Sequence, residues 1–336
     1  MRFFDLHCDT PYRMFHEHLP ITSPALDCPL PSLLHFDRAV QVMAIWSDAK
    51  KSEEENFADF FRIAEYLRNE IEKHADVCAL ETDLRNLSDV HEKTPPVRYI
   101  LAVEGGALLN GKLERLERLY REGVRIFTPM WKGINSLGGA HDTKTGLSPF
   151  GEEALTLCDA LGITVDVSHM SDPAFEKTKT ILSRPFIASH SNSRAIFPAA
   201  RNLTDGQFDA IRAAGGLVGL NFYPPFVADA ETESELFAAL ARHAAHFLRR
   251  GGEKTLCLGG DRDGIPRVDG YTPLSCVQKL YSALLANGIS EKTANAIFYD
   301  NAAAVQGVCP SGGVPFSFVF ERKRNQKERE FKGLRP

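Results

Sequence analysis

Phe3-Phe4-Asp5-Leu6-His7-Cys8-Asp9-Thr10 stands at the start of the chain, and its reading decides the fold. It is a short apolar run that ends in His7-x-Asp9. On an extended strand, residues i and i+2 point to the same side. His7 and Asp9 are therefore expected to converge just past the strand's C-terminal end. A nitrogen ligand and an oxygen ligand on stiff backbone is one way to hold a divalent metal. An ordinary strand end with a capping Asp offers the same two residues. The difference is made further along the chain, where other apolar runs also end in metal-ligand side chains.

Eight such runs read as strands, at residues 3–7, 39–46, 97–104, 124–130, 163–169, 185–190, 216–222 and 256–261. β-Branched and aromatic residues favour that reading. Helical patterns lie between them, at 53–74, 113–122, 151–161, 172–182, 204–214, 233–250, 273–287 and 291–298. Asp172-Pro173 reads as an N-cap with an N1 proline, Thr204 as an N-cap and Gly162 as a helix-ending glycine. The alternation predicts an α/β fold, a (β/α)8 TIM barrel. A doubly wound open sheet is the alternative, but no glycine-rich phosphate fingerprint follows the first strand. Residues 1–316 are expected to form a single barrel domain, and 317–336 a basic, solvated tail.

The 336 residues are 43% hydrophobic and 25% charged, with a net charge of −5. That balance argues against nucleic acid. No apolar run reaches the ~18 residues of a membrane span. Asp5 falls too early for a signal peptide, so a chain that starts natively at Met1 is expected in the cytoplasm. Seven cysteines without CxxC spacing read as reduced thiols.

In a TIM barrel, functional side chains gather at the C-terminal ends of the strands. His7 and Asp9 end the first run. Glu104, before Gly105-Gly106, ends the third. His169 follows Asp166-Val167-Ser168, His190 follows Ser189, and Asp261 opens Asp261-Arg262-Asp263-Gly264. Asp166 faces away from its neighbours and reads as structural. Cys8 alternates with His7 and Asp9 and reads as packing. The remaining histidines, at 16, 18, 35, 74, 91, 141, 243 and 246, are given no metal role.

This ordered set resembles the membrane dipeptidase (renal dipeptidase) family, peptidase family M19, of the amidohydrolase-like barrels. The match runs from about residue 3 to about 306. The resemblance implies a binuclear site with two Zn²⁺. His7 and Asp9 would bind one ion, His169 and His190 the other, and Glu104 would bridge them. Asp261 would be the catalytic proton shuttle. Arg201 would bind the C-terminal carboxylate of the substrate beside Asn202, with Tyr223 near the substrate. One departure stands out: Trp131 falls about where many relatives carry a substrate-contacting His. No hydrophobic tail follows residue 317, so the chain resembles the soluble bacterial branch rather than the lipid-anchored one.

The implied activity is zinc-dependent hydrolysis of dipeptides, L,D-dipeptides among them, by a metal-bridging hydroxide. The partner is a small dipeptide, with no nucleic acid or membrane; a homodimer is compatible with it. Two alternatives stay open. One is another dizinc amide or lactam hydrolase of the same superfamily, its pocket reshaped by Trp131. The other is a non-catalytic barrel that binds a ligand.

Overall fold

A computed structural model describes residues 1–87 and 94–304. Its strands are β1 (Arg2–Cys8), β2 (Arg38–Trp46), β3 (Cys78–Glu81), β4 (Val97–Glu104), β5 (Val124–Thr128), the short pair β6 (Ile134–Asn135) and β7 (Gly138–Gly139), β8 (Thr164–Val165), β9 (Val218–Leu220) and β10 (Leu256–Leu258). The main sheet is parallel, in the order β8-β5-β4-β2-β1-β10-β9. Residues 185–191 join its two edges. Asp166 pairs with Ile187, and Ala188 pairs with Val218, both in parallel. The expected α/β barrel is formed, and the first strand is its hub: β1 lies between β2 and β10.

Two of the predicted strands are irregular, for a reason visible in their side chains. Only Thr164–Val165 of the run 163–169 is a regular strand, and none of 185–190 is. The amides of Ser168 and Ser189 donate to the Asp166 carboxylate, and the amide of His190 donates to Ser168 Oγ. Side-chain acceptors have replaced ladder carbonyls there. β3 was not foreseen in the sequence. It is a four-residue strand that pairs with the first half of β4, while β5 pairs with the second half.

Side chains alternate across the barrel wall. Phe4, Leu6, Val40, Val42, Ala44, Ile100, Ala102 and Ile126 form one apolar cluster, the lumen. Phe3, Met43, Tyr99, Leu101 and Val103 belong to the outer cluster shared with the helices. Those helices are α1 (Thr10–His16), α2 (Leu30–Leu33), α3 (Glu53–Glu72), α4 (Leu113–Arg121), α5 (Pro149–Leu161), α6 (Asp172–Ile181), α7 (Asp205–Ala213), α8 (Glu233–Arg249), α9 (Val277–Ala286), α10 (Glu291–Asn295) and α11 (Asn301–Ala304). Capping boxes start α3, α7 and α8, and Gly162 ends α5 at φ +83°. The N-cap of α6 is Ser171 rather than Asp172, because its hydroxyl accepts from the Ala174 amide. Helix α1, directly after Asp9, has no counterpart among the sequence expectations. Among the described residues, no helix is long and apolar enough to cross a membrane. The proposed tail, 317–336, lies outside the described residues.

Candidate active site

His7 and Asp9 do converge, but not by strand alternation alone. Asp5 sits opposite Gln41 and Cys8 opposite Met43, so three steps of β1 match two of β2. Such a bulge re-aims side chains. It lets Leu6 face the lumen while His7 also turns to the barrel mouth and Cys8 packs outward, its thiol against Met43 Sδ. Asp9 has already left the strand, at φ −99° and ψ 17°, and occupies the N-cap position of α1.

Glu104 Oε1 is the centre of the cluster. It lies 2.9 Å from His169 Nε2, 3.3 Å from His190 Nε2 and 3.7 Å from His7 Nε2. His7 Nε2 is 3.4 Å from Asp9 Oδ2 and 3.9 Å from Asp261 Oδ1. Two ligand groups therefore share Glu104: His7, Asp9 and Glu104 on one side, Glu104, His169 and His190 on the other. Within this cluster His7 Nε2, Asp9 Oδ1 and Glu104 Oε1 are buried with no hydrogen-bond partner. Buried polar atoms are rarely left so. Converging, unpartnered nitrogen and carboxylate donors suit divalent cations.

A second layer fixes the imidazoles. His169 Nδ1–H donates to the Trp131 carbonyl at 3.0 Å. His190 Nδ1–H donates to Ser189 Oγ at 2.7 Å, and that hydroxyl donates to Asp166 Oδ2 at 2.5 Å. This tautomer leaves each Nε2 lone pair facing Glu104. Asp166 also accepts from Thr128 Oγ1 and the two amides noted above. It lies close enough to His7 and His190 to join a ligand group, but its oxygens already have partners, and it acts as a support. The Ser189 relay and the Trp131 carbonyl escaped the sequence reading. A Ser directly before a strand-end His was the available hint for the first; a backbone carbonyl leaves no sequence mark.

The electrostatics suit cation binding. Burial raises Glu104 well above the ordinary carboxyl range, and the nearby Asp9 and Asp261 add to it. Burial opposes a charge on His7, yet Glu104, Asp9 and Asp261 outweigh it and hold its pKa well above the usual value. Burial pushes His169 and His190 well below the usual value. Asp261 is raised to about 6, chiefly by burial. Its Oδ2 accepts from Asn221 Nδ2 at 3.1 Å, and its backbone is left-handed, at φ +57°.

The cluster forms part of the wall of a cavity of about 510 Å³. Tyr12, Trp46, Trp131, Tyr223, Phe226 and Pro266 give the cavity an aromatic and apolar rim. Trp46 and Trp131 meet edge to face at 4.8 Å. Trp131 and Tyr223, expected near the substrate, thus line the cavity. Arg201 and Asn202 stand behind it. The Arg201 guanidinium, 4% exposed, donates to Ser191 Oγ and to the His190 carbonyl, and its Nε has no partner. The Asn202 amide bonds the Phe197 and Phe226 carbonyls. Sequence reasoning missed Tyr12, Arg13, Trp46, Lys132 and His141 in the lining. They come from helix α1, the end of β2 and the loop after β5, where no motif marks them.

Arg262 and Asp263, beside Asp261, have distinct partners. Arg262 turns inward to Asp5 at 2.6 Å. Asp263 accepts from Thr10 Oγ1, Arg13 Nη1 and the Asp27 amide, fastening the loops around the mouth. A Cβ on Gly264 would lie 2.0 Å from Asp9 Oδ2.

Comparison with known proteins agrees with this geometry. The family model described as membrane dipeptidase (peptidase family M19) matches residues 1–308. An uncharacterized protein encoded in the pqqA 5′ region of Klebsiella pneumoniae is 34% identical over 209 residues, 59% of this chain and 77% of that protein. An uncharacterized dipeptidase of Schizosaccharomyces pombe is 30% identical over 220 residues; the match covers 60% of this chain and about half, 53%, of that protein's length. In fold, the chain is similar to a metallopeptidase from Rhodobacter sphaeroides solved with a phosphinate mimic of L-Ala-D-Ala. The TM-score is 0.83 at 22% identity, over 92% of this chain and 99% of that one.

Proposed function

The chain belongs to the membrane dipeptidase family, peptidase family M19, and on that premise we propose that it hydrolyses dipeptides at two Zn²⁺ ions held by His7, Asp9, Glu104, His169 and His190. The carrying observation is the convergence of two ligand groups on Glu104, with His7 Nε2, Asp9 Oδ1 and the shared Glu104 Oε1 left without partners. The donor set fits: imidazole nitrogens and carboxylates suit zinc, and one shared carboxylate suits a pair of ions. When bound, the ions supply a hydroxide at neutral pH and polarise the scissile carbonyl.

The chain's own residues do the rest. Asp261, 3.9 Å from His7 Nε2, takes a proton from the attacking water and passes it to the leaving amine nitrogen. A carboxyl raised to about 6 accepts and releases protons near neutrality. The aromatic and apolar rim fits a small, partly apolar ligand. Arg201 is assigned to the substrate's C-terminal carboxylate, supported by its buried, unpartnered Nε; Asn202 holds the loop that carries it. L,D-Dipeptides are the substrates to try first, since the Rhodobacter sphaeroides relative in fold was solved with a mimic of one.

We assign residues 1–316 to one catalytic domain, acting in the cytoplasm on a small dipeptide, with no nucleic-acid or membrane partner. A homodimer would show in the mass in solution. The function is tested by elemental analysis after mild dialysis, together with a panel of L,L- and L,D-dipeptides. Two zinc ions per chain and turnover of at least one dipeptide are expected. One ion or none in active protein would overturn the binuclear assignment.

A further inference from the structure

We propose that His141 is a catalytic residue of this site: it donates a hydrogen bond to the scissile carbonyl oxygen as that oxygen becomes anionic. The inference rests on the amide-hydrolysis reading above. His141 lines the cavity. Its Nδ1 is buried and has no hydrogen-bond partner. Its ring lies 5.5 Å, centroid to centroid, from the ring of His169. A buried polar atom without a partner calls for an explanation. The unpartnered atoms of His7, Asp9 and Glu104 belong to the ligand groups, whereas His141 belongs to none of them. The His141 ring thus stands at the cavity wall next to His169, outside the ligand groups, where an N–H donor serves the substrate.

The loop that carries His141 is built for position. The His141 amide donates to the His169 carbonyl at 2.7 Å, while the Trp131 carbonyl accepts from the His169 ring. One loop therefore grips this ligand at both backbone and side chain. The Ala140 amide donates to the Gly133 carbonyl, the Gly133 amide to Asp142 Oδ1, and the Thr143 amide to the Ala140 carbonyl. A Cβ on Gly138 would meet the Gly146 carbonyl at 2.6 Å, and one on Gly139 would meet the Thr145 carbonyl at 2.5 Å. The donor is fixed relative to His169 before substrate arrives, which is the condition under which such a bond lowers a barrier most.

The step balances without an added reagent. Water oxygen bonds to the carbonyl carbon, and the π pair moves onto the carbonyl oxygen, which accepts from the His141 N–H. No proton transfers to or from the imidazole. On collapse the pair returns, the C–N bond breaks, and the amine nitrogen takes its proton from Asp261.

The test uses the holoenzyme and its His141→Ala and His141→Asn variants. Metal content, kcat and KM for a hydrolysed dipeptide, and the affinity for a phosphinate dipeptide mimic are measured. The phosphinate carries the tetrahedral, anionic geometry that the substrate lacks. His141→Ala is expected to keep its metal, lose roughly 10²–10³-fold in kcat with KM within a few-fold, and weaken phosphinate binding by a comparable factor. His141→Asn, which keeps an N–H donor, is expected to recover part of both losses. Unchanged kcat, a loss confined to KM, or loss of metal in both variants would overturn the proposal. If wild-type protein with its full ion content cleaves no dipeptide, the dipeptidase reading itself has failed. Phosphinate affinity, which needs no turnover, still reads the His141 contact in that case: equal affinity in wild type and His141→Ala would overturn it.

Discussion

Asp261 shows how much one residue's setting decides. A non-glycine residue at φ +57° is strained by about 1–3 kcal/mol, and its neighbours hold it there. Its amide donates to the His7 carbonyl, and its carboxylate accepts from Asn221. Asp261→Asn keeps the shape and removes the proton acceptor. We expect both ions retained and turnover down by roughly 10²–10⁴-fold, read by elemental analysis and kcat. Near-normal turnover would reject the shuttle, and lost metal would make Asp261 chiefly a ligand. Arg201 is tested by substrate rather than by fold. Arg201→Ala is expected to cost about 2–4 kcal/mol in kcat/KM on a free dipeptide. On a dipeptide amide the loss should vanish; equal losses on both would leave Arg201 a support for His190 and Ser191. The site's protons also make a prediction. His7 and Glu104 are both raised well above their usual values, so the ion-free site holds protons toward neutral pH. Ligands bind metal only when deprotonated. Zinc binding should therefore release protons at pH 6–7, and its affinity should rise with pH. Titration calorimetry in two buffers of different ionisation enthalpy measures the release; none, or proton uptake, would contradict it.

At the scale of elements, legibility followed the source of each contact. The residues His7, Asp9, Glu104, His169, His190 and Asp261 could be found because each closes a strand-like run, and the barrel gathers such ends. The means were less legible. His7 reaches the site through a bulge between Asp5 and Cys8, and Asp9 from a helix cap. Strand alternation anticipated that these two side chains converge, but for an incomplete reason. The staves at 163–169 and 185–190 lost regular pairing because Asp166 and Ser168 take amides that a ladder would have used; composition alone does not reveal such competition. The loop after β5 carries Trp131 and His141 without any periodic pattern, so the aromatic rim was mostly invisible. Gly264 was quoted only as part of a motif, yet its missing Cβ leaves room for Asp9 Oδ2. Gly264→Ala should push Asp9 aside and lower metal affinity by roughly 10–100-fold, the range seen when ligand support is lost. A chelator competition on folded protein checks it, and unchanged affinity would show that the loop after β10 yields instead.

Across the whole molecule, one buried ion pair links the chain's beginning to its last strand. Asp5 and Arg262 are both fully buried, and Arg262 Nη1 donates to Asp5 Oδ2 at 2.6 Å. Nothing local marks this pair: only closure of the barrel brings β1 beside β10. Asp5 Oδ1 also accepts from the amides of His7 and Gly260, and Arg262 Nε donates to the Thr272 carbonyl. The guanidinium lies 4.6 Å over the Phe222 ring. The pair thus ties together β1, the turn that presents Asp261 and the loop near Thr272. Removing one partner strands the other charge in a dry interior, which costs about 3–5 kcal/mol. Arg262→Met should lose that much in urea unfolding. Asp5→Leu should lose more, because it also leaves two amides without an acceptor. The double variant should recover part of the sum, since no unpaired charge remains, and a double-mutant cycle measures the coupling. Strict additivity of the two losses would mean that Asp5 and Arg262 stabilise the barrel separately, and that the seam between β1 and β10 is held by its strand pairing and the amide bonds alone.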